Sequence, residues 1–230
     1  MESNSKLFEE FNACSIMAKY YLAIPVMIGV VAGIFAAVYF VKPQNTQNDF
    51  TVQQLLDIGS PPHGSALAPV MIVEFGDYQC TFCYKFHQSS LDTLIEEYIQ
   101  PGKAKLVFVD FTLNGEDSVL AAEAAHCANE QGKFWEYHNE LYNNWNGERT
   151  GWVNRQSLIE FAHNTKLNPE KFSECLDSSK YRQQVIDTYD FGQKIGINAT
   201  PSFLIIAGDK IVKITGNQPI DVFRKTLDSM

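Results

Sequence analysis

Two cysteines three positions apart, Cys80 and Cys83, form the strongest chemical motif in the chain. They follow a short apolar run at residues 70–75 and open a stretch, residues 81–98, with helical apolar spacing. A cysteine at a helix N-terminus lies near unpaired backbone N–H groups and the positive end of the helix dipole, which favour the thiolate. The thiolate is the nucleophile of thiol–disulfide exchange, and a second cysteine one turn later can resolve the mixed disulfide. The spacing therefore predicts a redox-active pair.

The same two cysteines could instead belong to a metal site. His87 lies four residues after Cys83, so Cys80, Cys83 and His87 could bind a soft metal. Structural zinc sites usually take four ligands from two close pairs, but the chain has no second C-x-x-C, and Cys127 and Cys175 stand alone. The pattern favours a redox pair, with a metal-binding module as the alternative.

The elements that must position the pair follow from hydrophobic periodicity. Strands are predicted at residues 70–75, 105–111, 202–206 and 210–215. The helix at 81–98 follows the first strand, a long helical block at about residues 115–196 follows the second, and a last helix opens at Pro219. The resulting order, β-α-β, helical block, β-β-α, indicates an α/β fold.

Residues 20–41 form a run of 22 residues without a charged side chain. At about 1.5 Å per residue, such a helix spans the roughly 30 Å core of a bilayer. A cleaved signal peptide usually has a shorter apolar stretch, and a buried core helix rarely runs so long without a polar residue. Lys6 and Lys19 precede the run, whereas Lys42 is followed by no Lys or Arg until Lys85, which favours a cytoplasmic N-terminus. We therefore predict an uncleaved single-pass membrane helix.

The rest of the chain divides around this helix. Residues 1–19 are predicted to form a short cytoplasmic tail, and residues 42–62, rich in Pro, Asn and Gln, a linker with one short helix around residues 52–58. Residues 63–230 are long enough for one extracytoplasmic domain with its own core. The formal net charge is −9 and there is no long basic run, which argues against a nucleic-acid partner.

The segment VEFGDYQCTFCYKFH, residues 73–87, resembles the active-site segment of the DsbA-like thiol-disulfide oxidoreductases. Residues 121–142, 172–181 and 196–205 extend the resemblance, which covers residues 60–230 and is closest to the membrane-anchored branch. These proteins have a thioredoxin fold with a helical insertion domain. The predicted order of elements agrees with that fold.

The resemblance implies roles for particular residues. Cys80 is implied as the sulfur that forms the mixed disulfide and Cys83 as the resolving sulfur. In the family a cis-proline loop faces the C-x-x-C pair, which implies a cis bond before Pro201 and binding of the substrate strand by Thr200 and Pro201.

Three further residues near the pair receive roles in the same way. The family often has an acid where Glu74 stands, and a buried carboxylate there can move the proton of the resolving thiol. A glutamate exposed to water at the strand end is the alternative. Thr81 and Phe82 are expected to contact the substrate. Thr81 stands where proline is common in the family, and Phe82 stands where the strongest oxidant of the family has a histidine that helps stabilise the thiolate, which leaves the oxidising strength open.

Cys127 and Cys175 occupy positions that resemble a structural disulfide pair of the anchored branch. An exported domain is compatible with such a bond, and two free buried thiols are the alternative. Cys14 then stands alone on the cytoplasmic side as a free thiol.

Taken with the resemblance, these features predict a membrane-anchored extracytoplasmic oxidoreductase that introduces disulfides into exported proteins. No haem, flavin or metal is implied, and a quinone-linked membrane protein is the expected reoxidising partner. A reductase or isomerase on the same fold is the first alternative, because the motif does not fix the direction of electron flow. A non-catalytic chaperone or metal-binding module is the second.

Overall fold

A four-stranded sheet lies at the centre of residues 50–230, the part of the chain that the computed structural model describes. The strand order is β2-β1-β3-β4, with β1 parallel to β2 and antiparallel to β3, and β3 antiparallel to β4. The strands are β1 Val70–Gly76, β2 Ala104–Asp110, β3 Ser202–Ala207 and β4 Lys210–Thr215. The apolar sequence of β1 follows from its central place, where both of its faces are covered.

Helices cover both faces of the sheet and form the insertion between β2 and β3. They are α1 Val52–Ile58, α2 Thr81–Ser89, α3 Leu91–Leu94, α4 Glu116–Asn129, α5 Phe134–Asn143, α6 Arg155–Asn164, α7 Pro169–Asp177, α8 Arg182–Lys194 and α9 Ile220–Leu227. Helices α4 to α8 make up the insertion. The predicted α/β fold with a helical insertion is confirmed.

The helix predicted at residues 81–98 is not continuous. It ends at Ser89, and the short α3 runs into a π-helical turn, Ile95–Ile99. The Ser89 hydroxyl donates to the carbonyl of Lys85 at 2.7 Å, a local bond through which serine competes with regular helix geometry. The break leaves α2 as a nine-residue helix that starts at the active site.

Alternation along β1 decides which side chains meet α2. Ile72 and Glu74 point to one face of the sheet, and Val73 and Phe75 to the other. Ile72 packs in a core cluster with Phe86 of α2 and with residues of α9. Glu74 therefore points into the layer between the sheet and α2, which is the layer that holds the two cysteines.

The folded region extends into the segment expected to be a linker. Thr51 caps α1, and Leu55 of that helix is fully buried against the sheet. The predicted membrane helix at residues 20–41, like Cys14, lies outside the described residues. Within residues 50–230, none of the helices has both the length and the apolar character needed to cross a bilayer.

A disulfide joins the helices α4 and α7 of the insertion. Cys127 and Cys175 are bonded with an S–S distance of 2.02 Å and a Cα–Cα distance of 5.8 Å. Both residues are buried among apolar side chains. The predicted pairing is confirmed, and the alternative of two free thiols is wrong.

Loss of this disulfide should weaken the fold. Cys127 and Cys175 are separated by 48 positions, and a cross-link that closes such a loop restricts the unfolded chain. We expect the Cys127→Ala/Cys175→Ala double variant to lose about 2–4 kcal/mol of unfolding free energy. Urea denaturation followed by circular dichroism measures the loss. An unchanged denaturation midpoint would show that the bond does not stabilise the domain.

Candidate active site

The two thiols lie at the start of α2, where β1 turns into the helix. Cys80 is the N-cap residue, with extended backbone angles, and its N–H donates to the carbonyl of Asp77 at 3.0 Å. The Asp77 side chain is buried and accepts hydrogen bonds from the backbone N–H of Gln79 at 2.8 Å and the hydroxyl of Ser118 at 2.7 Å. The turn is therefore fixed before the helix begins.

The two cysteines, both free thiols, have opposite environments. Cys80 is 5% exposed and Cys83 is 0% exposed. The hydrogen bond with the Cys83 thiol is the largest of the effects that lower the pKa of Cys80 to about 7, against the effect of burial. Thr200 and the backbone N–H groups of Cys83 and Phe82 also lower that pKa. Burial first, and then the hydrogen bond to Cys80, raises the pKa of Cys83. The pair thus combines an acidic outer thiol with a buried thiol that keeps its proton.

The loop before β3 faces the first cysteine. The peptide bond between Thr200 and Pro201 is cis, as the resemblance implied. The Cys80 thiol donates to the Thr200 carbonyl at 3.5 Å, and the Pro201 carbonyl accepts from the N–H of Gly216 at 2.7 Å. The chain brings Thr200 next to Cys80 across 120 positions. One side of the site is therefore backbone, with a carbonyl directed at the reactive sulfur.

Glu74 lies beneath the pair. It is 3% exposed, so the alternative of a water-exposed strand-end glutamate is wrong. In the sheet it stands opposite Phe108 of β2 and Phe203 of β3. Burial, and next the proximity of Cys80, raises the pKa of Glu74 to about 8. This carboxyl group can therefore carry a proton at neutral pH.

The two residues between the cysteines face outward. Phe82 is 56% exposed, and the Lys85 ammonium lies 5.3 Å from the centre of its ring. The backbone N–H of Thr81 donates to the Glu148 carboxylate at 2.8 Å. Glu148 comes from the loop between α5 and α6, and sequence reasoning missed it because nothing in the residues near position 148 marks that contact.

Aromatic and histidine side chains fill the space behind the pair. The Tyr78 hydroxyl is 3.1 Å from Nδ1 of His138, and the Tyr142 hydroxyl donates to the Asp77 carbonyl at 3.4 Å. His138 is buried, and burial is the largest cause that lowers its pKa. The structure adds two polar contacts to the active-site turn.

The structure does not favour a metal site at the pair. His87 Nε2 is 3.2 Å from the Asn139 side-chain oxygen, and His87 lines a pocket with Asn139 and Asp92. Throughout residues 50–230, no three His, Cys, Asp or Glu side chains are grouped as a metal ion would require. The alternative set of Cys80, Cys83 and His87 is therefore not assembled.

Comparisons with known proteins agree with this geometry. A family model described as thioredoxin matches residues 57–229. Disulfide bond formation protein D of Bacillus subtilis is 34% identical over 158 residues, which are 67% of this chain and 70% of that protein. A probable disulfide bond formation protein D of Bacillus cereus is 28% identical over 91% of this chain and 92% of its own length.

Solved structures give the same result. The crystal structure of oxidised BdbD from Bacillus subtilis has a TM-score of 0.67 and 31% identity, and the match covers 76% of this chain and 93% of that one. The α-DsbA1 structure of Wolbachia pipientis has a TM-score of 0.66 at 24% identity, with 78% and 95% covered, and supports the fold alone. The chain therefore belongs to the thioredoxin-like family, among its DsbA-like thiol-disulfide oxidoreductases.

Proposed function

We propose that this chain is a membrane-anchored, extracytoplasmic enzyme that introduces disulfides into exported proteins through Cys80 and Cys83. The observation that carries the proposal is the contrast between the two thiols. The hydrogen bond with the Cys83 thiol, together with those of Thr200 and the first amides of α2, lowers the pKa of Cys80 to about 7, while burial raises that of Cys83. The relatives named as disulfide bond formation proteins support the direction of the reaction.

The proposed reaction starts from the oxidised pair. A substrate thiolate attacks the Cys80 sulfur, a mixed disulfide forms, and the Cys80–Cys83 bond breaks with Cys83 as the leaving thiolate. A second substrate thiolate then attacks the substrate's own sulfur in the mixed disulfide and releases Cys80. Cys80 leaves easily because a thiol of low pKa is a good leaving group. The substrate gains one disulfide, and the enzyme keeps both electrons as a dithiol.

Glu74 is proposed to supply the proton that Cys83 needs as it leaves. A carboxyl group whose pKa is raised to about 8 carries that proton at neutral pH, and burial keeps the transfer away from bulk water. Thr200 and Pro201 are proposed to bind the substrate strand, and Thr81 and Phe82 to contact it from the helix side. The exposed Phe82 ring supports this arrangement, because it offers apolar surface beside the reactive sulfur.

The location and the partner complete the proposal. The uncharged run at residues 20–41 supports a single-pass anchor, with a cytoplasmic N-terminus and the catalytic domain outside. The structural disulfide of the insertion supports an oxidising compartment. Because each turnover leaves the pair reduced, the enzyme needs a reoxidising partner, which we propose to be a quinone-linked membrane protein.

The reduction potential distinguishes an oxidase from a reductase on the same fold. We expect the full chain, purified in detergent and equilibrated with glutathione buffers, to have a potential between about −120 and −200 mV. The same preparation should form disulfides in a reduced, unfolded test protein. A potential near about −270 mV, as in thioredoxin, would instead make the chain a reductase.

The acidity of Cys80 predicts a pH profile for its reactivity. Alkylation of the reduced protein by iodoacetamide should rise with pH around an apparent pKa of about 7 and then level off. Cys83→Ala removes the largest cause of the lowered pKa, so the profile should move to higher pH, whereas Cys83→Ser keeps a donor and should move it less. An alkaline midpoint near 9.0, the value of an ordinary thiol, in the parent protein would contradict the proposed nucleophile.

Glu74 should make stability depend on pH. Its folded pKa of about 8 lies above the ordinary value of 4.5. The unfolding free energy is therefore highest when Glu74 is protonated at low pH, and it falls as the pH rises from about 4.5 to 8. We expect Glu74→Gln to match the parent at pH 4.5 and to gain relative stability above it, by up to about 1.4 kcal/mol per pH unit. Denaturation series at several pH values measure the difference. Parallel curves would show that Glu74 titrates normally.

A further inference from the structure

A loop of the helical insertion is fastened to the active-site turn. Trp145 Nε1 donates to the carbonyl of Gln79 at 2.9 Å, and its ring stacks on Tyr84 of α2 with 4.5 Å between centroids. The backbone N–H of Arg149 donates to the Gln79 side-chain oxygen at 2.9 Å. These contacts hold both ends of a five-residue segment, residues 145–149, that contains Glu148.

The Glu148 carboxylate lies at the first amide of the catalytic helix. Its Oε1 accepts the hydrogen bond from the N–H of Thr81 at 2.8 Å. Thr81 is the first residue of α2, and this N–H belongs to the peptide that directly follows Cys80. Glu148 is exposed, so the carboxylate approaches the helix from the solvent side.

Two negative charges then share one helix end. The N-terminus of a helix stabilises an anion through its unpaired N–H groups and its dipole. When Cys80 is a thiolate, the neighbouring carboxylate repels it and occupies one of the N–H groups. The thiolate exists only in the reduced enzyme. A group that disfavours the thiolate therefore disfavours the reduced form and weakens the enzyme as an oxidant.

We propose that Glu148 is a positioning residue of the active site: its carboxylate, supplied by the helical insertion, destabilises the Cys80 thiolate and limits the oxidising strength of the Cys80–Cys83 pair. The proposal rests on the role proposed above for Cys80. It gives the insertion a part in setting the redox chemistry, in addition to covering the cysteines.

Other ionisable groups around Cys80 are placed differently. They are Glu74 from β1, Cys83 and Lys85 from α2, Tyr142 from α5 and Arg149 from the loop. Glu74, Cys83 and Tyr142 are buried. The Lys85 ammonium lies over the Phe82 ring, and the Arg149 guanidinium donates to the carbonyls of Leu113 and Asn114. Glu148 is the acid that can be neutralised from the solvent side without disturbing the interior.

The test compares variants of the full chain by the ultraviolet absorbance of the Cys80 thiolate as a function of pH. Glu148→Gln keeps an oxygen that can accept from the Thr81 N–H and removes only the charge. We expect it to lower the apparent pKa of Cys80 by about half a unit. We also expect it to shift the glutathione equilibrium about twofold towards the reduced enzyme. Glu148→Lys should shift both quantities further in the same direction.

Glu160→Gln is the matched control, because it removes the same charge from another exposed glutamate. Glu160 lies in α6, away from the start of α2. The proposal is overturned if Glu148→Gln leaves the thiolate titration unchanged, or if Glu160→Gln moves it equally. The titration does not depend on oxidase activity. If the parent fails to oxidise a test protein while the Glu148 shift is observed, the proposed function fails and the tuning role stands.

Discussion

The buried carboxylate of Asp77 is the contact on which the active site depends. It accepts hydrogen bonds from the turn that leads into α2 and from the connection that leads from β2 into the helical insertion. A single side chain therefore ties the catalytic helix to the start of the insertion. Removing one buried partner of such a network leaves the others unpaired, which costs more than the bond itself contributes. The Asp77 carboxylate therefore holds the start of α2, and with it Cys80, in position.

The chemistry follows from what surrounds that fixed helix start. Hydrogen bonds from the Cys83 thiol, Thr200 and the helix amides lower the pKa of Cys80, whereas burial in the layer against the sheet raises the pKa of Cys83 and of Glu74. Two identical thiols thus become different because they lie one helical turn apart across a boundary between polar and apolar surroundings. Thiol–disulfide exchange needs this difference, since one sulfur must leave readily while the other keeps its proton.

Local sequence patterns were sufficient for some of this arrangement. The helix start at Cys80 could be predicted from the apolar run before it, and the two strands at residues 202–206 and 210–215 from their apolar residues and the turn between them. The roles of Pro201 and of the Cys127–Cys175 pair came from family resemblance, because pairings over long separations leave no local signal. Glu148 could not be predicted for the same reason: its contact with Thr81 spans 67 positions and depends on how the insertion folds back. The break at Ser89 was missed because the apolar periodicity continues through it.

The Cys127–Cys175 bond has a consequence for how new copies of the chain mature. Both sulfurs are buried in the finished domain, so the bond must form while the insertion is still folding and its helices are still accessible. A newly made chain therefore begins with two reduced thiols that another protein must oxidise. Under the proposed function, older copies can do so, and the protein becomes one of its own clients. Completion of the insertion domain in a new chain would then depend on finished copies already being present.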